Sequence, residues 1–558
     1  MTALASLAAL AAVTWFVYRR RVGSKALGKD RVKAMTWRIR LFHTAGPGWC
    51  GFWELFWRWG RYAAVMSHGG RVRPSLTRWQ RFRQPAVNYA VRLGRGAWFR
   101  KSYSRMEDHI IRFAPPRTGK TASLATHVMD HPGPVITSTS RPDLHNLALG
   151  KRRRLGPVYL LNPLGVDNEP STFTIDLLGT CTSEQAAYRM ADWLTGATEG
   201  AGGNTAWFED AGTMSLSGLL LAASIGGYTM HDVFRWNARQ GHQEALEVLR
   251  KHGNVNLTGM VVRLMESDRT AAGYRDVIFH SLKWTVIPEL AAADRRGSTF
   301  NVDKFLRENG TLNIISAGDG RSALTPFVRA VVSYCAFQAG QIGMASPHNR
   351  LEPPLLASLD EIAITCPVDL PSMLSDSAGK GIMFDCVAHS MGQLEERYGK
   401  YGADAIWNAC GVKVLFGGSA DPDVLDRASR AFGSITIDDR DEPKVPAALV
   451  RAMPDWWALI IRTNRPGAHA VRIRKAWKEA AKADRRAGPP VQAIEEHAVI
   501  QAAEPFRPAD EDIYAEPVSP PQVHRDLAPA GPSGHPERPR PTWHTASTAN
   551  RNSSTKKH

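Results

Sequence analysis

Seven short apolar runs punctuate the middle of the chain: His109–Phe113, Pro134–Ser140, Pro157–Asn162, Thr311–Ala317, Pro354–Glu361, Met383–Ser390 and Val412–Gly418. Each is too short for a globular helix, and helical stretches separate them, so each predicts a buried strand. Short apolar strands alternating with helices imply an α/β fold with a mostly parallel sheet covered by helices on both faces. Between Cys181 and about Arg296 the strand signal disappears, and helical periodicity takes over in Phe208–Ser224 and Met230–Leu249. This predicts an all-α insertion, 181–296, within an α/β domain made of 106–180 and 297–480.

The two ends read differently. Thr2–Tyr18 carries no charge, is rich in Ala and Leu, and ends with Trp15 and Tyr18 just before Arg19, Arg20 and Arg21. At about 1.5 Å per residue it reaches about 25 Å, close to the ~30 Å of a hydrocarbon core. Its positive charge follows the apolar run, the reverse of a cleaved signal peptide. The expectation is a transmembrane anchor over 1–22 in the inner (cytoplasmic) membrane, single-pass, with the N-terminus outside and the bulk cytoplasmic. Trp49–Met66 places Trp49, Phe52, Trp53, Phe56 and Trp57 at helical spacing beside Glu54, Arg58 and Arg61. It predicts a helix lying in the membrane plane, with a second span as the alternative. From about Asp484 the chain is rich in Pro, Ala, Ser and charge without periodicity, which predicts a disordered tail over 481–558.

Charge sharpens this division. Residues 1–113 hold 22 Lys+Arg against 4 Asp+Glu, whereas the whole chain of 558 residues has 70 against 53. By subtraction 114–558 has 48 against 49, so the body is near neutral and the basic character belongs to the N-terminal part. That balance, with 8 of the 17 tryptophans, makes 23–105 a basic, aromatic juxtamembrane segment facing an anionic membrane surface or a nucleic-acid backbone. The six cysteines have no C-x-x-C pair and lie mostly in apolar runs, so they read as buried thiols rather than a disulfide framework.

The strongest chemical signal is Ala114-Pro115-Pro116-Arg117-Thr118-Gly119-Lys120-Thr121, placed between a strand and a helix. Such a loop turns backbone N–H groups toward phosphates at Gly119. Lys120 meets the β/γ-phosphates and the Thr121 hydroxyl holds Mg²⁺. The strand in Pro354–Glu361 ends in Asp360, aimed at the metal, and Glu361, placed to orient or deprotonate water. Together they predict an NTPase on a RecA-like P-loop domain. Arg152–Arg154 is most simply a surface turn. Arg427 and Arg430 share one face of a helix over Pro422–Phe432 and are most simply solvated.

L-D-E-I-A-I-T-C-P-V-D-L-P (359–371), A-H-S-M-G-Q-L-E-E-R-Y-G (388–399) and I-W-N-A-C-G-V-K-V-L-F-G-G (406–418) resemble, in order, segments of the TraG/TraD-like coupling proteins of type IV secretion and conjugation. R-R-R-L-G-P-V-Y-L-L-N-P (152–163) and W-F-E-D-A-G (207–212) extend the resemblance, which covers about 109–475. It implies a membrane-anchored homo-hexameric ATPase using ATP and Mg²⁺. Such a protein recruits single-stranded DNA bound to a relaxase and passes it to secretion-channel proteins. Ala114 stands where the family usually has Gly. His389 stands at a Gln that senses the γ-phosphate. Ser377–Gly381 lacks an arginine that some members present to a neighbouring subunit, leaving Lys380. An FtsK-like or protein-secretion motor, and an ATP-binding recruitment adaptor without turnover, are the alternatives.

Overall fold

Every residue of Val135–Thr139, Thr311–Ile315, Leu355–Leu359, Ile382–Ala388 and Val412–Phe416 is buried, as strands covered on both faces must be. The computed structural model describes residues 29–45, 49–196, 204–238, 241–264, 269–298, 300–316, 323–437, 439–463 and 465–487. All of them fall within the first of the chain's two units, Met1–Pro505.

The strands are β1 (Ala90–Arg95), β2 (Lys101–Arg105), β3 (Ile110–Phe113), β4 (Val135–Thr139), β5 (Val158–Leu161), β6 (Thr311–Ile315), β7 (Leu355–Leu359), β8 (Ile382–Ala388), β9 (Val412–Phe416), β10 (Ser434–Ile437), β11 (Arg440–Pro443), β12 (Trp457–Arg462) and β13 (Arg465–Arg472). One large sheet runs β2-β1-β13-β12-β9-β3-β8-β7-β4-β6-β5, and β10-β11 form a separate hairpin. The seven strands β9-β3-β8-β7-β4-β6-β5 are mutually parallel and coincide with the seven predicted runs. The remaining four extend the sheet antiparallel from β9.

Helices cover both faces. We label α1 (Lys29–Phe42), α2 (Lys120–Asp130), α3 (Asp143–Arg152), α4 (Glu184–Thr195), α5 (Asn204–Gly226), α6 (Met230–Ala238), α7 (His242–Lys251), α8 (Val255–Arg263), α9 (Arg269–Leu282), α10 (Thr325–Ala345), α11 (Met391–Ala409), α12 (Pro422–Phe432) and α13 (Ala476–Ala487). Alternation along the strands sorts the core. Ile111, Phe113, Leu355 and Phe384 face the layer holding α4, α5 and α10. Ile110, Leu356, Met383 and Val414 face α2, α3 and α13. Between β5 and β6 the chain is helical from α4 to α9. That region is fastened to the sheet layer by Arg329 of α10, which donates to the Trp193 and Leu194 carbonyls at 2.6 and 2.5 Å.

Four expectations are corrected. Among the described residues no helix is long and apolar enough to cross a membrane, which overturns the single-pass membrane location. The run Thr2–Tyr18 on which it rested lies outside the described residues. Trp49–Met66 docks on the protein's own sheet. The Cys50 N–H donates to the Ala468 carbonyl at 2.8 Å, Leu55 and Trp59 are buried, and Trp59 lies 4.8 Å from the His469 ring. Of the helically spaced aromatics Trp49 is buried and bridges to Ala468 of β13, whereas Trp53 and Trp57 stay exposed, and Gly60 breaks the helix. Finally, Arg152 is no surface residue: its guanidinium is fully buried, donating to Thr311 Oγ1 and to the His131, Gly133 and Asn309 carbonyls at 2.6–3.0 Å. Burial lowers its pKa to about 10. Arg153 and Arg154 are exposed. The helix α13 also runs to Ala487, into the stretch expected to be disordered.

Candidate nucleotide site

The loop Ala114–Thr121 leaves the C-terminal end of β3 and enters α2, so the helix N-terminus and its partial positive charge point at the loop. Gly119 takes φ +101°, a left-handed conformation suited to glycine, and any Cβ there would meet the Trp456 ring at 2.8 Å. Arg117 is also left-handed, at φ +65°. Ala114 is not among the left-handed residues and is buried. The first position of the loop therefore accommodates a methyl group, and glycine is not required there. Thr118 Oγ1 donates to the Pro115 carbonyl at 2.7 Å and closes the loop.

The end of β7 brings two carboxylates against the loop. Lys120 Nζ is 2.6 Å from Glu361 Oε1 and 3.6 Å from Asp360 Oδ1. His389, one residue beyond β8, completes the cluster: its Nε2 lies 3.2 Å from Glu361 Oε1 and its Nδ1 3.2 Å from the Ala114 carbonyl. Nε2 also lies 3.5 Å from Lys120 Nζ, and a protonated ring donates from both nitrogens, to Glu361 and to the Ala114 carbonyl. The His389 pKa is accordingly raised, chiefly by the Glu361 hydrogen bond. The same bond, with Lys120 and against the effect of burial, holds Glu361 down at about 2. Asp360 behaves oppositely. Burial pushes its pKa up, and its Oδ1 has no hydrogen-bond partner among the described residues. A buried carboxylate oxygen without a donor fits a divalent cation.

Beneath the loop lies a buried polar network. Arg112 of β3 donates from Nε and one terminal nitrogen to both oxygens of Asp385 of β8 at 2.6 Å, and from its other terminal nitrogen to Ser123 Oγ at 2.7 Å. His127 of α2 meets the same carboxylate at 2.6 Å. Burial raises the Asp385 pKa, but Arg112 and His127 outweigh it and the net shift is downward. The first two turns of α2 are thereby pinned to the two strands that flank the site.

Residues 354–446 match the family described as the TraM recognition site of TraD and TraG. This segment runs from β7 to β11 and contains Asp360, Glu361 and His389. The likeness is to the TraG/TraD-like coupling proteins. The chain is also similar to the bacterial conjugative coupling protein TrwBdeltaN70 in an unbound form, at 16% identity and TM-score 0.55 over 73% of this chain and 92% of that one. It matches TrwB in complex with the non-hydrolysable ATP analogue ADPNP equally, at 16% identity and 0.55 over 73% and 92%. It matches TrwB in complex with ADP and Mg²⁺ at 18% identity and 0.55 over the same shares. At these identities the likeness establishes the fold, a mixed α/β architecture with a large, mostly parallel sheet. A comparison with curated proteins by sequence matches none.

On this fold the residues read from the sequence converge. Lys120, Asp360, Glu361, His389 and Ala114 meet within hydrogen-bond or ion-pair range, and Thr121 follows in the first turn of α2. Pro115, Pro116 and Arg117 form the outer limb of the loop. Lys380 is paired with Asp376, and Arg427 is bonded to Asp404 at 2.6 Å. Two participants escaped sequence reasoning. Trp456, left-handed at φ +70°, sits against Gly119 and packs edge-on to Trp477 at 5.2 Å, with Lys475 Nζ 5.4 Å from its ring. Gln393 accepts the His389 backbone N–H at 3.0 Å and fixes the turn that aims His389. The doublet Trp456-Trp457 and the single charges inside the apolar strands, Arg112 and Asp385, were the available signals.

Proposed function

We propose that the chain is a P-loop ATPase of the conjugative coupling type, which moves DNA at the expense of ATP. The observation that carries this is the meeting of Lys120, Asp360, Glu361 and His389 at the C-terminal ends of parallel strands, where sheets of this class bind ligands. The loop N–H groups and Lys120 bind the phosphates. Thr121 and Asp360 hold Mg²⁺, which offsets phosphate charge. Phosphate oxygens compete with Glu361 for the Lys120 ammonium, and a Glu361 released from that pair is free to orient water. His389 donates toward the same place from its protonated ring. The nucleotide-binding domain is 106–180 with 297–480, extended by β1, β2 and the Trp49–Val72 region, and the insertion 181–296 selects the substrate. We further propose a relaxase-bound single strand as cargo, secretion-channel proteins as receivers, a hexameric ring as the working assembly, and a TraM-type partner for 354–446, in keeping with the family description.

The accommodated Ala114 removes one ground for a non-hydrolysing adaptor. An FtsK-like motor differs in strand preference. ATP turnover by the full chain, with and without single-stranded and duplex DNA, tests all three. Stimulation by single strands is expected. Turnover that ignores DNA would sink the motor reading, and preferential stimulation by duplex would favour the FtsK-like one.

A further inference from the structure

Helix α2 begins at the nucleotide site and ends at Asp130, about 15 Å away at 1.5 Å per residue. At that far end a cavity of about 510 Å³ opens between the Trp49–Val72 region, the β1-β2 hairpin and α2. Four cations line it: Arg61, Arg92, Arg100 and Lys101. The carboxylate in the lining, Asp130, is already held by Lys151 at 2.8 Å and Arg474 at 2.7 Å. The wall is therefore positive on balance. Arg92 lies half-buried on β1, and its Nε has no hydrogen-bond partner among the described residues. Burial, and then the charges of Arg92, Arg95 and Arg61, lower the Lys101 pKa. Arg61 donates to the Phe82 carbonyl at 2.7 Å, which leaves its charge uncompensated, and a folded protein that gathers like charges around a void has built a place for an anion.

Aromatic rings interleave with these cations. Phe56, Tyr62 and Tyr103 share the lining, and the Arg100 guanidinium sits 4.2 Å from the Phe52 ring centre and 5.4 Å from that of Phe56. Outside the cavity Trp53, Trp57, Trp79 and Phe82 are exposed, with Trp79 and Phe82 stacked and Arg83 4.7 Å from Trp79. Residues 52–101 contain eleven Lys+Arg and a single acidic residue, Glu54. Cations that track a backbone, alternating with open rings that stack bases, are what a single strand requires; base-paired duplex offers no free base faces.

We infer that this cavity is a phosphate pocket for single-stranded nucleic acid, distinct from the nucleotide site and at the opposite end of α2. The choice of occupant rests on the motor reading above; the pocket itself rests on its charge and rings. Anisotropy titration of the full chain with a labelled oligothymidylate, across a salt series, tests it. Arg92→Gln, and separately the exposed pair Arg100→Ala with Lys101→Ala, should each weaken binding about fivefold or more. Each lost phosphate contact should flatten the slope of log affinity against log salt by about 0.7. Binding of a fluorescent ATP analogue and the melting temperature of the double variant should stay at wild-type values. Wild-type oligonucleotide affinity and salt slope in both variants would overturn the pocket while leaving the motor reading intact. Failure of the unaltered chain to bind the oligonucleotide would overturn both. Loss of binding to anionic vesicles with the oligonucleotide retained would assign the cavity to another class of anion and overturn the inference.

Discussion

Lys120, Glu361 and His389 form a chain of charge in which each residue sets its neighbour's protonation. Glu361 has a pKa of about 2 against an ordinary 4.5, so the stabilisation from its ionised form is complete above pH 4.5 and is lost as pH falls toward 2. His389 is shifted upward from 6.5, so its share is complete below pH 6.5 and disappears as pH rises through the shifted value. Glu361→Gln removes the negative charge that raises His389. Its imidazole should then titrate at a lower pH, as read by NMR of labelled histidine, and an unchanged His389 titration would refute the coupling. The same variant should keep nucleotide binding and lose turnover, whereas Lys120→Ala should lose binding. Equal loss of binding in the two would contradict the division of roles. Trp456 adds an optical reporter. Because its ring rests on Gly119, nucleotide should change tryptophan emission, and Trp456→Phe should abolish most of that change.

At the scale of elements, legibility followed burial. The seven parallel strands are continuous apolar runs because both faces are covered, and all seven were readable. The antiparallel extension was not. β1 (A-V-R-L-G-R) and β13 (R-P-G-A-H-A-V-R) mix charge, glycine and small residues, so no clear apolar period marks them, and the pairing of β1 with β13 that joins the two hairpins links segments far apart in sequence. The phosphate loop and acidic pair were legible because phosphate chemistry restricts residue type at fixed spacing. Trp456 was not, because its role comes from a contact across more than 300 residues. Arg152 was misread for a similar reason: three consecutive arginines look solvated, yet the first turns inward at the end of α3 and ties carbonyls of two connections to β6. Arg152→Met should cost about 3 kcal/mol or more, since it leaves buried carbonyls unpaired. Denaturant midpoints check this; a loss below about 1 kcal/mol would mean that water or backbone adjustment replaces the guanidinium.

For the whole molecule, residues 49–105 are a structural member of the nucleotide-binding body. Leu55, Trp59, Val91 and Leu93 belong to the same apolar layer as Val412, Phe416 and Val471. Ser102 Oγ lies 2.8 Å from the buried His469 Nε2, and β1 covers the outer edge of β13. A chain starting at residue 106 would keep every residue of the phosphate site yet expose that edge, strip Trp59 and Leu55 from the core, and leave His469 without its partner. Loss of one such core residue costs about 3–5 kcal/mol, comparable to the stability of a whole domain. An open strand edge also invites pairing between copies. A chain starting at residue 29 should therefore elute as a defined species and melt cooperatively. The chain starting at 106 should aggregate, or melt far lower, despite its intact motif. Equal melting temperatures for the two would show that β1, β2 and the Trp49–Val72 region merely rest on the body.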